Sequence, residues 1–503
     1  MDNLIRNILT ARVYDVAERT PLDFMPRLSK HLNTNIWIKR EDTQPVFSFK
    51  IRGAYNCIYQ LSAEARHKGV ICVSAGNHAQ GVALSGQALG ISTTIVMPIT
   101  APALKVQACQ ARGANVVLYG DNFDDASEYA LRLASESGKT LIHPFDDWNV
   151  IAGQGTIGKE MIEQQPDLDA IFVPVGGGGL IAGVAAYIKF IAPHCKVIGV
   201  EPVESASMKE ALIKNERIKL KQVGTFADGT AVKQIGENPF EIAKTLVDDI
   251  ICVTTDEICA AMKDIFEDTR AITEPSGALG VAGLKKYLAQ NPDCHFKNIG
   301  NVLSGANINF DRLQYVAERT ELGEGKEALF AVTIQEEPGS FLNFVNVIGQ
   351  RHITEFNYRY SSDRQAIVYV GIQLQHGKTE KEEVIKALES HNLSVTDLSD
   401  NELAKLHIRH MVGGKKPRSV KHERLLRIIF PQQPNALFKF LTALNIQLNI
   451  TLFHYRNHGS DYGRALVGIN VPPETEPFFQ EFLSQLGYDY IEETDNPAYE
   501  LFL

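Results

Sequence analysis

The stretch AIFVPVGGGGLIAGVAAYIKFI, residues 170–191, decides the fold class of this chain. It begins with a short β-branched run, passes through four consecutive glycines and continues as an apolar helical pattern. A tight strand-to-helix turn needs only one or two glycines. Four of them, Gly176, Gly177, Gly178 and Gly179, allow backbone N–H groups to approach an anion, and the start of the next helix adds a favourable dipole. We therefore predict an α/β unit with a phosphate-binding loop.

Similar β-branched runs alternate with amphipathic segments throughout residues 1–320. Besides 170–176, the predicted strands are 36–39, 70–75, 93–98, 115–120, 196–202 and 250–255. This alternation is typical of parallel sheets covered by helices, with ligands at the carboxyl ends of the strands. We predict one α/β domain over residues 1–320, built from two lobes.

The rest of the chain contains a repeat. The segment ITEFNYRY (353–360) returns as ITLFHYRN (450–457), with five identities in the window ITxFxYR. Each copy has the element order βαββαβ, which is the ferredoxin-like arrangement. We predict two such modules, at 329–412 and 425–503, with a polar linker at 321–328 and a basic linker at 413–424.

Composition narrows the class of protein. The 503 residues include 44% hydrophobic and 22% charged residues, as in an ordinary globular protein. The net charge of −10 argues against nucleic acid as the main partner. No apolar run is long enough to span a membrane. The seven cysteines form no C-x-x-C pair, so a reducing cytoplasm is the expected location.

Several short motifs could carry chemistry. Lys50 lies among apolar residues in PVFSFKIRGAYN (45–56), and loss of solvation lowers the pKa of an amine towards the range needed to form a Schiff base. That window alone favours the alternative, a surface lysine whose stem covers apolar surface. Asn77, in SAGNHAQGVA (74–83), could be a helix cap. Ser304 lies in LSGAN (303–307), and Glu274 opens EPSGALG (274–280) as a first-turn charge or a site carboxylate.

Two other functions remain open on these residues. The spacing Gly177-x-Gly179-x-x-Ala182, followed by Glu201, fits a relaxed dinucleotide fingerprint and would suit an NAD-dependent α/β dehydrogenase. An amino-acid sensor with an inactive catalytic half is the non-enzymatic alternative. His407 and His410 lie three apart on a predicted helix but lack a third metal ligand.

Taken together, the motifs resemble the fold-type II pyridoxal-phosphate enzymes. The apolar-flanked lysine, SxGNHxxG, the tetraglycine and the late SG follow that family's order. Together with the doubled C-terminal region and its EFNYR and LFHYRNHGSDYG segments, they resemble the biosynthetic threonine deaminases over essentially the whole chain. The resemblance implies a two-lobed catalytic domain followed by two ACT-like regulatory modules. It also implies a carbon–oxygen lyase, threonine ammonia-lyase, as the activity.

The resemblance also implies a role for individual residues. Lys50 matches the lysine that holds the cofactor and moves the Cα proton, and Phe49 matches a residue packed beside the cofactor. Asn77 matches the asparagine bonded to the cofactor's phenolic oxygen. Ser304 matches the hydroxyl facing the pyridine nitrogen. The matched phosphate loop consists of Gly176, Gly177, Gly178, Gly179 and Leu180.

The implied reaction converts L-threonine into 2-oxobutanoate and ammonia, as the first committed step of isoleucine biosynthesis, with L-serine as a second substrate. Serine racemases of this fold resemble SSGNH at the third motif, whereas this chain has Ala75, which disfavours racemisation. The paired modules imply inhibition by isoleucine, opposed by valine. Tyr358 and Tyr455, at equivalent repeat positions, are the candidate effector contacts, and cross-strand packing is the alternative. A homotetramer is implied as well.

Overall fold

The computed structural model describes residues 2–335, 337, 339–349, 351–360, 365–411, 420–431, 436–444, 448–456, 462–497 and 499. Contacts between Cα atoms divide the chain into two compact units, Met1–Gly323 and Glu324–Leu503.

The first unit contains two sheets. The strands are β1 (Leu22–Phe24), β2 (Asn35–Arg40), β3 (Val70–Val73), β4 (Thr93–Met97), β5 (Asn115–Leu118), β6 (Thr140–Leu141), β7 (Ala170–Pro174), β8 (Lys196–Pro202), β9 (Asp249–Val253) and β10 (Asn298–Leu303). One sheet has the order β1-β2-β10-β7-β8-β9 and the other β5-β4-β3-β6. Apart from β1, which runs antiparallel to β2, all neighbouring strands in the two sheets are parallel. The predicted strands and two-lobed parallel α/β architecture are confirmed.

Helices cover both sheets. They are α1 (Asp2–Leu9), α2 (Pro26–Leu32), α3 (Lys50–Tyr59), α4 (Ala63–Lys68), α5 (Asn77–Leu89), α6 (Ala103–Gln110), α7 (Phe123–Ser137), α8 (Trp148–Gln164), α9 (Gly179–Ile191), α10 (Ser207–Lys214), α11 (Glu237–Leu246), α12 (Thr255–Thr269), α13 (Pro275–Gln290) and α14 (Arg312–Gly323). Side chains of β7 alternate between two cores. Phe172 packs with residues of α12 and α13, and Ile171 and Val173 pack with residues of α8 and α9. A strand buried on both faces explains the continuous apolar run of its sequence.

The second unit contains both repeats. Its strands are β11 (Glu327–Gln335), β12 (Ile353–Arg359), β13 (Gln365–Gln373), β14 (Ser394–Asp397), β15 (Glu423–Pro431), β16 (Asn449–Arg456), β17 (Tyr462–Asn470) and β18 (Tyr490–Glu492). Its helices are α15 (Ser340–Ile348), α16 (Gly377–Ser390), α17 (Glu402–Leu406), α18 (Ala436–Ala443) and α19 (Glu476–Gln485). The order βαββαβ therefore occurs twice, as predicted.

The two repeats share one sheet, which the sequence did not indicate. Its order is β14-β11-β13-β12-β16-β17-β15-β18, and β12 of the first repeat pairs antiparallel with β16 of the second. The ITxFxYR segments are those two strands. The most similar parts of the repeats therefore meet at the centre of an eight-stranded sheet.

Both predicted linkers differ from the structure. Of the predicted linker 321–328, residues 321–323 belong to α14 and β11 begins at Glu327, so only residues 324–326 lie outside regular structure. Polar composition is a weak linker signal, because the exposed face of a helix is equally polar. In the basic segment, residues 413–419 lie outside the described residues, and Glu423 and Arg424 already belong to β15. His407 lies after the end of α17 and His410 in a 3-10 turn, so they do not share the predicted helix.

Three observations bear on the predicted chemistry. Each of the seven cysteines is a free thiol. Among the described residues, no His, Cys, Asp and Glu side chains group in a way that could hold a metal ion. No described helix combines the length and apolar character needed to cross a membrane.

Candidate active site

The glycine loop joins β7 to α9 at the carboxyl end of the strand. Gly178 has φ of +92° and precedes the first residue of α9, a conformation that side chains rarely adopt. A Cβ on Gly177 would lie 2.2 Å from the Phe145 ring, and one on Gly179 would lie 2.8 Å from the Phe145 carbonyl. The first N–H groups of a helix have no intrahelical acceptor. The loop is therefore a cradle of backbone donors that only glycine can form, suited to an anion.

Lys50 is the first residue of α3. It is linked to the glycine loop by residues 144 and 145, because Lys50 bonds to Pro144 and the neighbouring Phe145 packs against the loop. Its Nζ donates to the Pro144 carbonyl at 2.8 Å and lies 5.3 Å from the Phe49 ring centroid. Burial lowers the pKa of the Lys50 amine to about 8, opposed by the negative charge of Glu274. A substantial fraction of the amine is therefore neutral near physiological pH, as a nucleophilic amine requires.

A buried ion-pair quartet anchors α3. Arg52, two residues after Lys50, reaches Glu41 at 2.7 Å and Glu160 at 2.5 Å, and Lys39 reaches Glu160 at 2.6 Å. All four side chains are completely buried. Each charge is paired, as burial requires. The quartet connects α3 to β2 and α8, and thereby fixes the helix that carries Lys50.

Ser304 follows β10, at the same end of the sheet as the glycine loop. It is buried, and its carbonyl accepts a hydrogen bond at 3.1 Å from the backbone N–H of Phe49. Its hydroxyl is 3.5 Å from the Ser276 carbonyl. Because the backbone of Ser304 is bonded to the residue before Lys50, the two predicted site residues lie side by side.

Asn77 begins α5, which follows β3 of the smaller sheet. Its Nδ2 donates to Glu274 Oε1 at 2.7 Å, and its Oδ1 accepts from Asn307 Nδ2 at 2.6 Å. Asn77 is therefore not a simple helix cap, because its side chain bonds to two distant segments. The next residue, His78, bonds to the Ile142 carbonyl at 2.9 Å, and burial followed by the Lys50 charge lowers its pKa to about 3.

The remaining predicted residues fall in different places. Phe49 is half-buried, and Leu180 is buried in the core beneath the glycine loop. In the second unit, Tyr358 is 3% exposed and its ring meets the Phe341 ring at 4.6 Å. Tyr455 is half-buried, and burial raises its pKa to about 12.

Sequence reasoning missed three contributors to the site. Phe145 and Pro144 carry no motif, and only their packing against the glycine loop and Lys50 reveals them. Asn307 is the last residue of the quoted LSGAN motif, and its side-chain amide, two residues after Gly305, was the available signal. Glu274 was considered but received no role.

The position of Glu201 contradicts the hypothesis of a dinucleotide-binding site. Glu201, the residue that would bind a ribose, is completely buried. Its two carboxylate oxygens accept hydrogen bonds from the backbone N–H groups of Met208 and Lys209 at 2.8 and 2.9 Å. It therefore caps the start of α10 rather than facing the glycine loop.

Comparison with known proteins identifies the family. Residues 13–305 match the pyridoxal-phosphate dependent enzyme family, and residues 318–408 and 415–503 match the C-terminal regulatory domain of threonine dehydratase. The chain is 50% identical to the biosynthetic L-threonine dehydratase of Burkholderia multivorans, covering 99% of both chains. The chain belongs to the pyridoxal-phosphate-dependent threonine dehydratase family. This match gives the dehydrogenase and sensor alternatives no support.

Two solved structures of relatives match part of this chain. The processed form of threonine deaminase isoform 2 from Solanum lycopersicum has a TM-score of 0.62 and 50% identity, covering 63% of this chain and 92% of that one. Maize serine racemase has a TM-score of 0.59 and 33% identity, covering 63% and 96%. The same fold therefore occurs in proteins named for two different reactions.

The residues present fit the cofactor of this family. The glycine cradle offers backbone N–H groups to its phosphate, and Lys50 offers an amine whose lowered pKa suits a Schiff base. Ser304, bonded to the residue before Lys50, and Asn77, at the start of α5, offer neutral polar groups. The site therefore supplies an anion site for the phosphate, an amine for the Schiff base and polar partners for the ring.

Proposed function

We propose that this chain converts L-threonine into 2-oxobutanoate and ammonia, with L-serine as a second substrate, as the first committed step of isoleucine biosynthesis. The observation that carries the proposal is the partly neutral amine of Lys50 next to a glycine cradle. The full-length similarity to proteins named biosynthetic L-threonine dehydratases supports the choice of substrate. We assign cofactor binding to Lys50, Phe49, Asn77, Gly176, Gly177, Gly178, Gly179, Leu180 and Ser304.

Lys50 is the catalytic residue of this proposal. When bound, pyridoxal phosphate acidifies the Cα proton of an amino acid by delocalising the resulting charge. With the cofactor bound, the Lys50 amine would accept that proton at Nζ, for which its pKa of about 8 is suitable. The backbone N–H groups of the glycine loop would hold the phosphate, and the Asn77 amide would orient the ring.

Ser304 and Ala75 favour elimination. A serine hydroxyl cannot balance a protonated pyridine nitrogen as a carboxylate would, so the ring withdraws fewer electrons and long-lived carbanions are disfavoured. Ala75, unlike the second serine of the racemase motif SSGNH, has no side-chain proton donor. Both residues favour loss of the β-hydroxyl over return of a proton to Cα.

Replacement of Lys50 tests this proposal. Lys50→Ala should abolish 2-oxobutanoate formation from threonine, while Lys68→Ala, which removes an exposed lysine, should leave it unchanged. Borohydride should trap the cofactor covalently on Lys50 in the unmodified protein. Full activity of Lys50→Ala, or no trapped adduct, would overturn the assignment.

We further propose that isoleucine inhibits the enzyme, that valine opposes it, and that Tyr358 and Tyr455 contact these effectors. The match of both repeats to a threonine dehydratase regulatory domain supports the class of ligand. The register of β12 and β16 sets Tyr358 opposite Phe453 and Tyr455 opposite Phe356. Both tyrosines therefore lie at the junction of β12 and β16, which we call the seam between the repeats. The burial of Tyr358 also suits packing. Titration of isoleucine against Tyr358→Phe and Tyr455→Phe decides between the roles, because a packing tyrosine tolerates phenylalanine.

Assembly and location belong to the same proposal. We propose a cytoplasmic homotetramer whose protomers comprise a catalytic domain at 1–320 and regulatory modules at 329–412 and 425–503. Seven free thiols suit a reducing compartment. Light scattering of the purified chain should give four times the mass of 55.7 kDa, and cell fractionation should recover the activity with the cytosol.

A further inference from the structure

Asn77 forms a polar cluster with Glu274 and Asn307, two residues to which the proposed function gives no role. Glu274, at 4% exposure, accepts from Asn77 Nδ2 through Oε1 at 2.7 Å and from the Asn307 backbone N–H through Oε2 at 3.1 Å. Asn307 Nδ2 donates to Asn77 Oδ1 at 2.6 Å and to the Val46 carbonyl at 2.9 Å. The cluster joins the starts of α5 and α13 to the loop after β10.

The cluster fixes the amide of Asn77 without ambiguity. Its oxygen faces a donor on Asn307 and its nitrogen faces the carboxylate of Glu274, so a flipped amide would lose both bonds. An amide nitrogen carries two N–H groups, and Glu274 takes one of them. The second remains the donor available to a bound ligand.

Glu274 has no competing task in its own helix. It precedes α13 as the N-cap residue, yet its side chain makes no capping hydrogen bond. Its Oε1 instead lies 2.8 Å from where a Cβ on Gly305 would be and 3.3 Å from one on Gly229. Glycines on two neighbouring loops therefore leave room for the carboxylate to reach Asn77.

We propose that Glu274 is a positioning residue of this site: it orients the Asn77 amide towards the cofactor and supplies a negative charge that acts on the Lys50 amine. The first half rests on the proposed role of Asn77 at the cofactor's phenolic oxygen. The second half rests on the backbone that the two residues share. Glu274 N–H donates to the Gly305 carbonyl at 3.2 Å, and Phe49 N–H, directly before Lys50, donates to the adjacent Ser304 carbonyl at 3.1 Å.

The charges around Glu274 support a role near neutral pH. Burial, followed by the charge of Asp228, raises the pKa of Glu274 to about 7, opposed by its bonds to Asn77 and Asn307 and by Lys105 on α6. Asp228 is itself paired with Lys105 at 3.2 Å and with Arg312 of α14 at 3.6 Å. Lys50, on α3, is the amine that faces this charge. Because an anion favours a neighbouring ammonium, removing the Glu274 charge lowers the pKa of Lys50 further.

The test measures cofactor rebinding rather than turnover. Pyridoxal phosphate is removed from the full-length protein, added back from pH 6 to 10, and its visible absorbance is followed. Only the neutral Lys50 amine attacks an aldehyde, so the rate should rise with a midpoint near the pKa of Lys50. In Glu274→Gln that midpoint should fall by about one pH unit, and the dissociation constant of the cofactor should rise about tenfold.

Two further variants separate the two effects from a loss of folding. Asn307→Ala keeps the Glu274 charge but frees the Asn77 amide, so the dissociation constant should rise while the midpoint stays unchanged. Glu201→Gln is the matched control, because burial raises the pKa of Glu201 to about 7 as well, yet its carboxylate bonds only to α10. It should change neither quantity.

An unchanged midpoint and an unchanged dissociation constant in a folded Glu274→Gln protein would overturn the inference. Equal shifts in Glu201→Gln would overturn it too, because they would indicate a general loss of structure. If the unmodified protein fails to bind the cofactor or to convert threonine, the proposed function itself has failed, and the two outcomes are distinguishable.

Discussion

Gly177 shows why the glycine loop tolerates no side chain. Its neighbours are the ring of Phe145 on one side and the other glycines of the cradle on the other, so even a methyl group has no space. The Phe145 ring is held beside His143, with ring centroids 4.7 Å apart, and is not the free end of a flexible chain. Sequence reasoning explained the four glycines by the approach of an anion. The structure adds that Gly177 and Gly179 must also leave room for Phe145.

Gly177→Ala should weaken cofactor binding severely. A Cβ would lie 2.2 Å from the Phe145 ring, so the loop or the ring must move and the backbone donors are displaced. We expect at least a tenfold higher dissociation constant for pyridoxal phosphate, measured by absorbance titration. Gly158→Ala, in the middle of α8 with its nearest neighbour at 3.2 Å, is the control and should bind the cofactor normally. Normal binding by both variants would contradict the steric account.

At the scale of elements, α3 depends on charges that the sequence did not bring together. Arg52 lies on α3, Glu160 on α8, Lys39 on β2 and Glu41 directly after that strand. Their burial makes each charge dependent on its partners. Glu160 is the central member of this quartet, because it pairs with both Lys39 and Arg52.

Arg52→Met should destabilise the first unit strongly. It removes the cation shared by Glu41 and Glu160, so Glu41 loses its cation and Glu160 keeps Lys39 alone, at a cost of about 3–5 kcal/mol. Lys68→Met removes an exposed partner of Glu64 and should cost less than about 1 kcal/mol. Urea unfolding followed by tryptophan fluorescence measures both, because Trp37 and Trp148 are in this unit. Similar midpoints for the two variants would refute the role of the quartet.

The seam between the repeats contains a comparable pair. Arg359 on β12 of the first repeat reaches Glu423 on β15 of the second at 2.7 Å, and the Glu423 carboxylate is completely buried. Tyr499 also donates to Glu423, at 2.5 Å. The pair joins two modules that the sequence presents as separate.

Arg359→Met should weaken the response to isoleucine and leave the uninhibited rate of threonine conversion intact. The substitution leaves the Glu423 carboxylate buried without its cation, which loosens the seam where the effector tyrosines lie. We expect a several-fold higher isoleucine concentration for half-inhibition. Arg427→Met removes a half-exposed partner of Glu493 and should have no effect. If Arg359→Met responds to isoleucine as the unmodified protein does, the seam between the repeats does not take part in regulation.

At the scale of the whole molecule, the division after Gly323 separates the two sets of candidate residues. Every residue assigned to cofactor or substrate lies in the first unit, and both effector tyrosines lie in the second. Solved relatives that match 63% of this chain are covered by it over more than nine-tenths of their own length.

A chain ending at Gly323 should still form 2-oxobutanoate from threonine and should no longer respond to isoleucine. The core of the first unit is complete without residues 324–503, because its clusters contain no residue beyond Val316. Inhibition that persists in the shortened chain would place the effector site in the first unit. Absorbance of the bound cofactor serves as the control for correct folding.

The sequence by itself determined the elements and the chemical groups. Alternating and helical patterns depend on neighbouring residues, so the parallel strands, the doubled βαββαβ order and the glycine loop could be predicted locally. Only the tertiary structure decided which distant groups meet. Asn77 and Glu274 are 197 residues apart and Asn77 and Asn307 are 230 apart, so no local pattern links them. The pKa of Lys50 likewise depends on burial and on Glu274, because desolvation and charge act through space rather than along the chain.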